Sequence, residues 1–215
     1  KLNGELPTNR LELIYLVNSW GRVSTNDYEI NGNKIEIKKY DPKECYDLSK
    51  LDVSQVTNMD SVFCFSNFNG NINNWDVSNV TNMLDMFFFA TNFNQDISKW
   101  DVSNVTNMSF MFYRAKQFNQ PLNNWNVSKV IDMKCMFSFS KKFNQDLSSW
   151  NTSNVTSMSY MFNETDCFNQ NLNFWDISSV INMGSMFSHA KSFNQIISNW
   201  DLSNIRYCDH MFDNA

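Results

Sequence analysis

Several residue types recur in this chain at spacings that could do chemistry. Asp52, Asp76, Asp101, Asp176 and Asp201 occupy one position of a repeating unit, with Asn126 and Asn151 interrupting the series. Carboxylates held about 5 Å apart by neighbouring strands resist ionising together and favour a cation or a basic partner. On an open sheet face, water lowers the repulsion to about 1 kcal/mol per pair and salt screens it further. The column therefore reads either as a solvated row helped by neighbouring amides or as an acidic strip. The expectation is no stoichiometric metal, and a weak, salt-sensitive preference for basic groups.

Other reactive types fit no catalytic pattern. Ser54, Ser78, Ser103, Ser128, Ser153, Ser178 and Ser203 have no acid or histidine at a fixed offset to make any of them a nucleophile, so turn chemistry explains them better. The five cysteines, Cys45, Cys64, Cys135, Cys167 and Cys208, fall at different places in the unit without CxxC spacing. They make neither a zinc site nor a disulfide framework, and their odd number leans slightly toward a reducing compartment. His189 and His210 sit in variable outward slots, and five glycines leave little for a phosphate cradle. The expectation is no catalytic residue, no cofactor, no metal, and no enzyme.

The elements that position these residues follow from the repeat itself. Trp75, Trp100, Trp125, Trp150, Trp175 and Trp200 lie 25 residues apart, and Leu51 fills the same slot in a unit shortened by one. Met59, Met83, Met108, Met133, Met158 and Met183 form a second column, and the MF pairs beginning at Met86 and ending at Phe212 form a third. A further column runs Phe68, Phe93, Phe118, Phe143, Phe168 and Phe193. Apolar residues at fixed spacing in stacked copies make a core in which each unit covers the next.

Within a unit, ISKWDV (97–102) has the L-x-x-L-x-L rhythm of a short strand, and seven such strands begin at Leu48, Ile72, Ile97, Leu122, Leu147, Leu172 and Ile197. Met108, Met111, Phe112 and Ala115 then fall on one face of a short helix. Its N-cap is read at Asn58, Asn82, Asn107, Asp132, Ser157 or Asn182. Asn69, Asn94, Asn119, Asn144, Asn169 and Asn194 follow the second Phe, and bonding between neighbouring coils is their structural reading. The fold expected is therefore α/β, a leucine-rich-repeat-like solenoid of 25-residue units, each a short parallel strand plus a short helix.

Residues 1–46 depart from the repeat. Leu11, Ile14, Tyr15, Leu16 and Val17 have the spacing of an amphipathic helix, and EI-NGN-KIEI that of a hairpin with an Asn-Gly turn. They read as an N-terminal cap, with a repeat domain over 47–215 of about seven units, the last incomplete.

The net charge of −5 argues against an electrostatic hold on nucleic acid or an anionic membrane. No stretch has the roughly 20 consecutive apolar residues of a membrane helix, and the polar start KLNGELPTNR is no signal peptide. With Lys as its first residue, the sequence reads as a fragment or a processed chain.

The unit DVSNVTNM-x-x-MF-x-x-A-x-x-FNQ-x-I/L-S-x-W resembles the repeat of BspA-type leucine-rich-repeat surface proteins, such as mycoplasma and lactobacillus surface lipoproteins, from about Asp47 to Ala215. Leu51 for Trp, the shortened first unit, and Arg206, Tyr207 and Cys208 in the last depart from it. The resemblance implies a non-catalytic adhesion or binding module on a cell surface or secreted, meeting a protein partner.

Outward Phe88, Phe89, Tyr113, Arg114, Phe139 and Phe174 support that reading, because clustered exposed aromatics mark partner sites. The candidate partner-binding residues are Asp52, Asp76, Asp101, Asp176 and Asp201, together with Phe174. The alternative is a structural or assembly component that packs against copies of itself, in a virion or inside a cell.

Overall fold

Within one unit, Val102, Val105, Met108, Met111, Phe112, Ala115, Phe118, Leu122 and Trp125 are all buried, and most of these inward residues are three apart. A run of four-residue turns puts its corner residues inward at that spacing. In the computed structural model, which describes residues 29–30, 33–34 and 48–215, the turns close on those same residues. Val105 N–H donates to the Val102 carbonyl at 2.9 Å, Met111 to Met108 at 3.2 Å, Ala115 to Phe112 at 2.9 Å, Phe118 to Ala115 at 3.0 Å and Trp125 to Leu122 at 3.0 Å.

The expected α/β solenoid of strand plus helix is therefore overturned. Among the described residues there is no α-helix; the named strands are β1 (Glu29–Ile30) and β2 (Asn33–Lys34), antiparallel with Glu29 opposite Lys34 and Ile30 opposite Asn33. The amphipathic helix expected near residues 11–17, and most of the 1–46 cap, lie outside the described residues. At the seven positions read as strand starts the chain turns: Trp100 N–H returns to the Ile97 carbonyl at 3.1 Å, and Leu51 N–H to Leu48 at 3.1 Å after a 3-10 turn over Leu48–Lys50.

The helix fails because its donors are used elsewhere. Met108, Phe110, Phe112 and Arg114 donate their N–H groups to the carbonyls of Asp132, Lys134, Met136 and Ser138 in the following coil, at 2.8 to 3.0 Å. An i to i+4 ladder cannot form once alternate amides point out of the coil. The residues read as N-caps close turns instead: the Asn107 side-chain oxygen accepts Ser109 N–H at 2.9 Å, and Asp132 accepts Lys134 N–H at 2.8 Å. Strand pairing shrinks to single-residue parallel bridges, such as Asn82 with Asn107 and Asn107 with Asp132.

Each coil also holds two non-glycine residues with left-handed backbone, for example Phe110 (φ 56°) and Arg114 (φ 57°). Positive φ at the third position of a turn is the type II geometry, and it costs an L-residue about 1–2 kcal/mol. The bonds to the next coil and the buried columns hold that strain in place.

Between coils the core continues without a break. Phe87, Phe112 and Phe137 stack at 5.5 Å with rings 4° apart, and Phe112 also lies 4.0 Å from Phe118 of its own coil. Each Trp of the 25-residue column donates its indole N–H back to a carbonyl, as from Trp125 to Ile97 at 3.1 Å and from Trp150 to Leu122 at 2.9 Å. Where hydroxyls replace alanine in a buried column they find acceptors: Thr165 donates to the Phe137 carbonyl at 2.8 Å.

Candidate functional site

Stacking in register turns every outward position into a column, so the chemistry of the surface is set by which residues fall 25 apart. The second left-handed position of successive coils carries Phe65, Phe89, Arg114, Phe139, Glu164 and His189. The residue before it contributes Phe88 and Tyr113, and the first left-handed position contributes Phe110.

These side chains form one half-buried patch. Phe65 stacks on Phe89 at 4.9 Å, Phe88 on Tyr113 at 4.9 Å, and Tyr113 meets Phe110 at 5.8 Å and Phe139 edge-on at 5.6 Å. The Arg114 guanidinium lies between two rings, 4.9 Å from Phe89 and 4.6 Å from Phe139. Aromatic pairs of this kind contribute about 0.5–1.5 kcal/mol each, and a cation over an exposed ring about 0.5–1 kcal/mol.

Charge around the patch is uneven. Arg114 and Lys134, whose ammonium sits 5.7 Å from the Phe110 ring, have no carboxylate within ion-pairing distance among the described residues. Farther along, Lys141 is neutralised by Glu164 at 2.7 Å and Asp166 at 3.2 Å. On the other flank Asp85 is half-buried; burial, with the Asp60 charge adding to it, pushes its carboxyl up to about 6.

The acidic column lies on exposed turns. Each member accepts the amide of the serine two residues on: Asp52 from Ser54 at 2.9 Å, and Asp76, Asp101, Asp176 and Asp201 from Ser78, Ser103, Ser178 and Ser203 at 3.0 Å. Asn126 and Asn151 close the same turn at 3.2 and 3.1 Å, so an uncharged oxygen suffices there. Serine hydrogen bonds hold Asp52, Asp101, Asp176 and Asp201 below the usual carboxylate range.

The asparagine column is a continuous ladder. Asn69, Asn94, Asn119, Asn144 and Asn169 each accept the backbone N–H of the next member at 2.8 to 3.0 Å. The glutamine following that next member adds a second bond to the same oxygen, as from Gln145 to Asn119 at 2.9 Å.

The structure thus brings Phe88, Phe89, Tyr113, Arg114 and Phe139 together, while Phe174, 73% exposed, has no ring partner among the described residues. Sequence reasoning missed Phe65, Phe110 and Lys134. Alignment at the 25-residue offset, 24 across the shortened unit, places Phe65 beside Phe89.

Groups suited to catalysis stay scattered. Burial pushes the Cys135 thiol up to about 12, far from a thiolate at neutral pH. His210 pairs with Asp213 at 2.6 Å, a contact that the sequence reading did not foresee, on an exposed turn. Among the described residues, no group of three or more His, Cys, Asp or Glu is placed to hold a metal ion, and no helix is long and apolar enough to cross a membrane.

The family model described as Mycoplasma protein of unknown function, DUF285, matches residues 36–147 and 122–215. No curated protein and no solved structure matches the chain.

Proposed function

We propose that the chain, which belongs to the family of Mycoplasma proteins of unknown function DUF285, is a non-catalytic binding module whose outer aromatic and arginine patch meets a protein partner. One observation supports this above the rest. The equivalent positions in later coils hold Ser138, Asn163, Glu164, Ser188 and His189, so the stack does not itself require aromatics there. Rings that the coil geometry does not demand, gathered in one place with an unpaired guanidinium, have the composition of an interface core.

Kinship with BspA-type surface proteins, whose repeat wording the chain resembles, belongs to the same proposal and supports display at a cell surface or secretion. The exposed carboxylates of Asp52, Asp76, Asp101, Asp176 and Asp201 add a row with a weak, salt-sensitive preference for basic groups. Phe174 adds a single exposed ring.

Affinity capture from the source organism tests the reading. Wild-type chain is compared with Phe88→Ser/Tyr113→Asn and with Lys99→Ala, a control at an exposed site outside the patch. A protein retained by wild type and by the control, but lost with the patch variant, supports the module. Identical capture by all three contradicts it.

A further inference from the structure

We propose that the Arg114 slot takes the carboxylate of an acidic, otherwise apolar peptide segment; this rests on the binding-module reading and names its partner chemistry. The guanidinium is planar and belongs to a single coil, and its Cζ lies 4.9 Å from the ring centroid of Phe89 in the preceding coil and 4.6 Å from that of Phe139 in the following one. The flanking rings offer no conventional hydrogen-bond acceptor, which leaves the N–H donors of the fork for an anion.

Nothing in the stack satisfies that fork. Arg114 has no carboxylate partner among the described residues, and its Nε is covered without a hydrogen-bond partner. The contrast with Lys141, held by Glu164 at 2.7 Å and Asp166 at 3.2 Å, shows that a neighbouring coil can supply acids to a cation on this surface. In a chain of net charge −5, two unpaired cations, Arg114 and Lys134, stand against the rings of one patch. A partner complementary to that patch carries negative charge beside apolar groups.

Geometry selects the anion. Coils in register are spaced like strands, about 4.8 Å apart. Between rings whose centroids lie 4.9 and 4.6 Å from the Cζ, a flat anion fits beside the guanidinium more readily than a bulky one. A carboxylate is flat and pairs with arginine in plane through two parallel hydrogen bonds. A tetrahedral phosphate can use the same fork but carries further oxygens out of its plane.

The test uses the whole chain and two fluorescent synthetic pentapeptides, one alternating glutamate with phenylalanine and the other its glutamine isostere. At constant salt, wild type is expected to bind the glutamate peptide at least about tenfold more tightly. Arg114→Gln should abolish that preference, and Arg114→Lys, which keeps the charge but not the fork, should retain only part of it. Melting curves of both variants establish that the stack is intact.

Equal binding of the two peptides by wild type, or a preference that survives in both variants, overturns the proposal. Competition by inorganic phosphate as strong as by acetate overturns its carboxylate specificity. If both peptides bind equally and both are lost with Tyr113→Asn, the patch remains a binding surface and only the arginine–carboxylate pairing falls. If neither peptide binds, the pairing falls, and the capture experiment judges the module by itself.

Discussion

The Asn144 side-chain oxygen accepts the backbone N–H of Asn169, 25 residues along the chain, at 2.9 Å, and Gln170 Nε2 adds a second bond to the same atom at 2.9 Å. One side-chain atom thus ties two residues of the following coil. Asn144→Ala leaves both donors without that acceptor in a part-buried turn and is expected to cost about 1–3 kcal/mol in denaturant titrations. Asn144→Asp, which keeps an acceptor at the same place, should lose less.

The tryptophan column gives a second test. Trp125 is nearly completely buried and donates its indole N–H to the Ile97 carbonyl at 3.1 Å. Trp125→Ala is expected to cost about 3–5 kcal/mol from lost burial and the cavity that remains. Trp125→Phe, which removes the donor but keeps a ring, should cost less, about 1–2 kcal/mol, from the smaller ring and one lost hydrogen bond, because the Ile97 carbonyl still accepts Trp100 N–H. Exposed Lys116→Ala should stay within about 0.5 kcal/mol. Equal midpoints for Trp125→Ala and Lys116→Ala would refute the assignment of inside and outside.

Left-handed backbone should reverse the usual ranking of alanine over glycine. Tyr160 has φ 58° and its side chain is 43% exposed. At such a position glycine carries no Cβ penalty, so Tyr160→Gly should be about 1 kcal/mol more stable than Tyr160→Ala. Thermal denaturation of the two variants checks it, and a more stable alanine variant would contradict the turn geometry.

Asp85 makes stability depend on pH. Its carboxyl is raised from 3.8 to about 6, first by burial and then by the Asp60 charge, so the folded chain holds the proton more tightly than the unfolded chain. The group therefore favours folding fully below the unfolded pKa near 3.8, and that contribution is lost as pH rises through about 6. Asp85→Asn removes the charge and suits the left-handed backbone at φ 53°. It should be about 1 kcal/mol more stable than wild type at pH 7, allowing for solvent screening of a half-exposed group, and indistinguishable from it at pH 4. Denaturation midpoints at the two pH values decide this.

The length of the coil was legible, because Trp75 through Trp200 recur at one spacing and each buried column recurs with them. The course of the backbone inside a coil was not. Ile97, Trp100 and Val102 have the rhythm of a strand, yet Ile97 and Trp100 are the two ends of a turn. Met108, Met111, Phe112 and Ala115 satisfy a helical period, but a run of four-residue turns places the same residues inward. What distinguishes the two is positive φ at Phe110 and Arg114, and no glycine marks those positions.

The site was legible in part for a related reason. Phe88, Phe89, Tyr113, Arg114 and Phe139 read as outward from their columns, but which rings touch depends on the turns that aim them. Phe65 and Phe110 join the patch from left-handed positions that a helical wheel does not reproduce.

The most direct test of the binding role is site-specific photo-crosslinking at the patch. A benzophenone side chain placed at Tyr113, and separately at exposed Lys99 as control, is activated in the source organism and the adducts are identified by mass spectrometry. The binding module predicts one dominant protein adduct at Tyr113 that is absent from Lys99 and is suppressed when Arg114 is changed to Gln. Matching adduct patterns at the two positions, or no protein adduct at Tyr113, would contradict it.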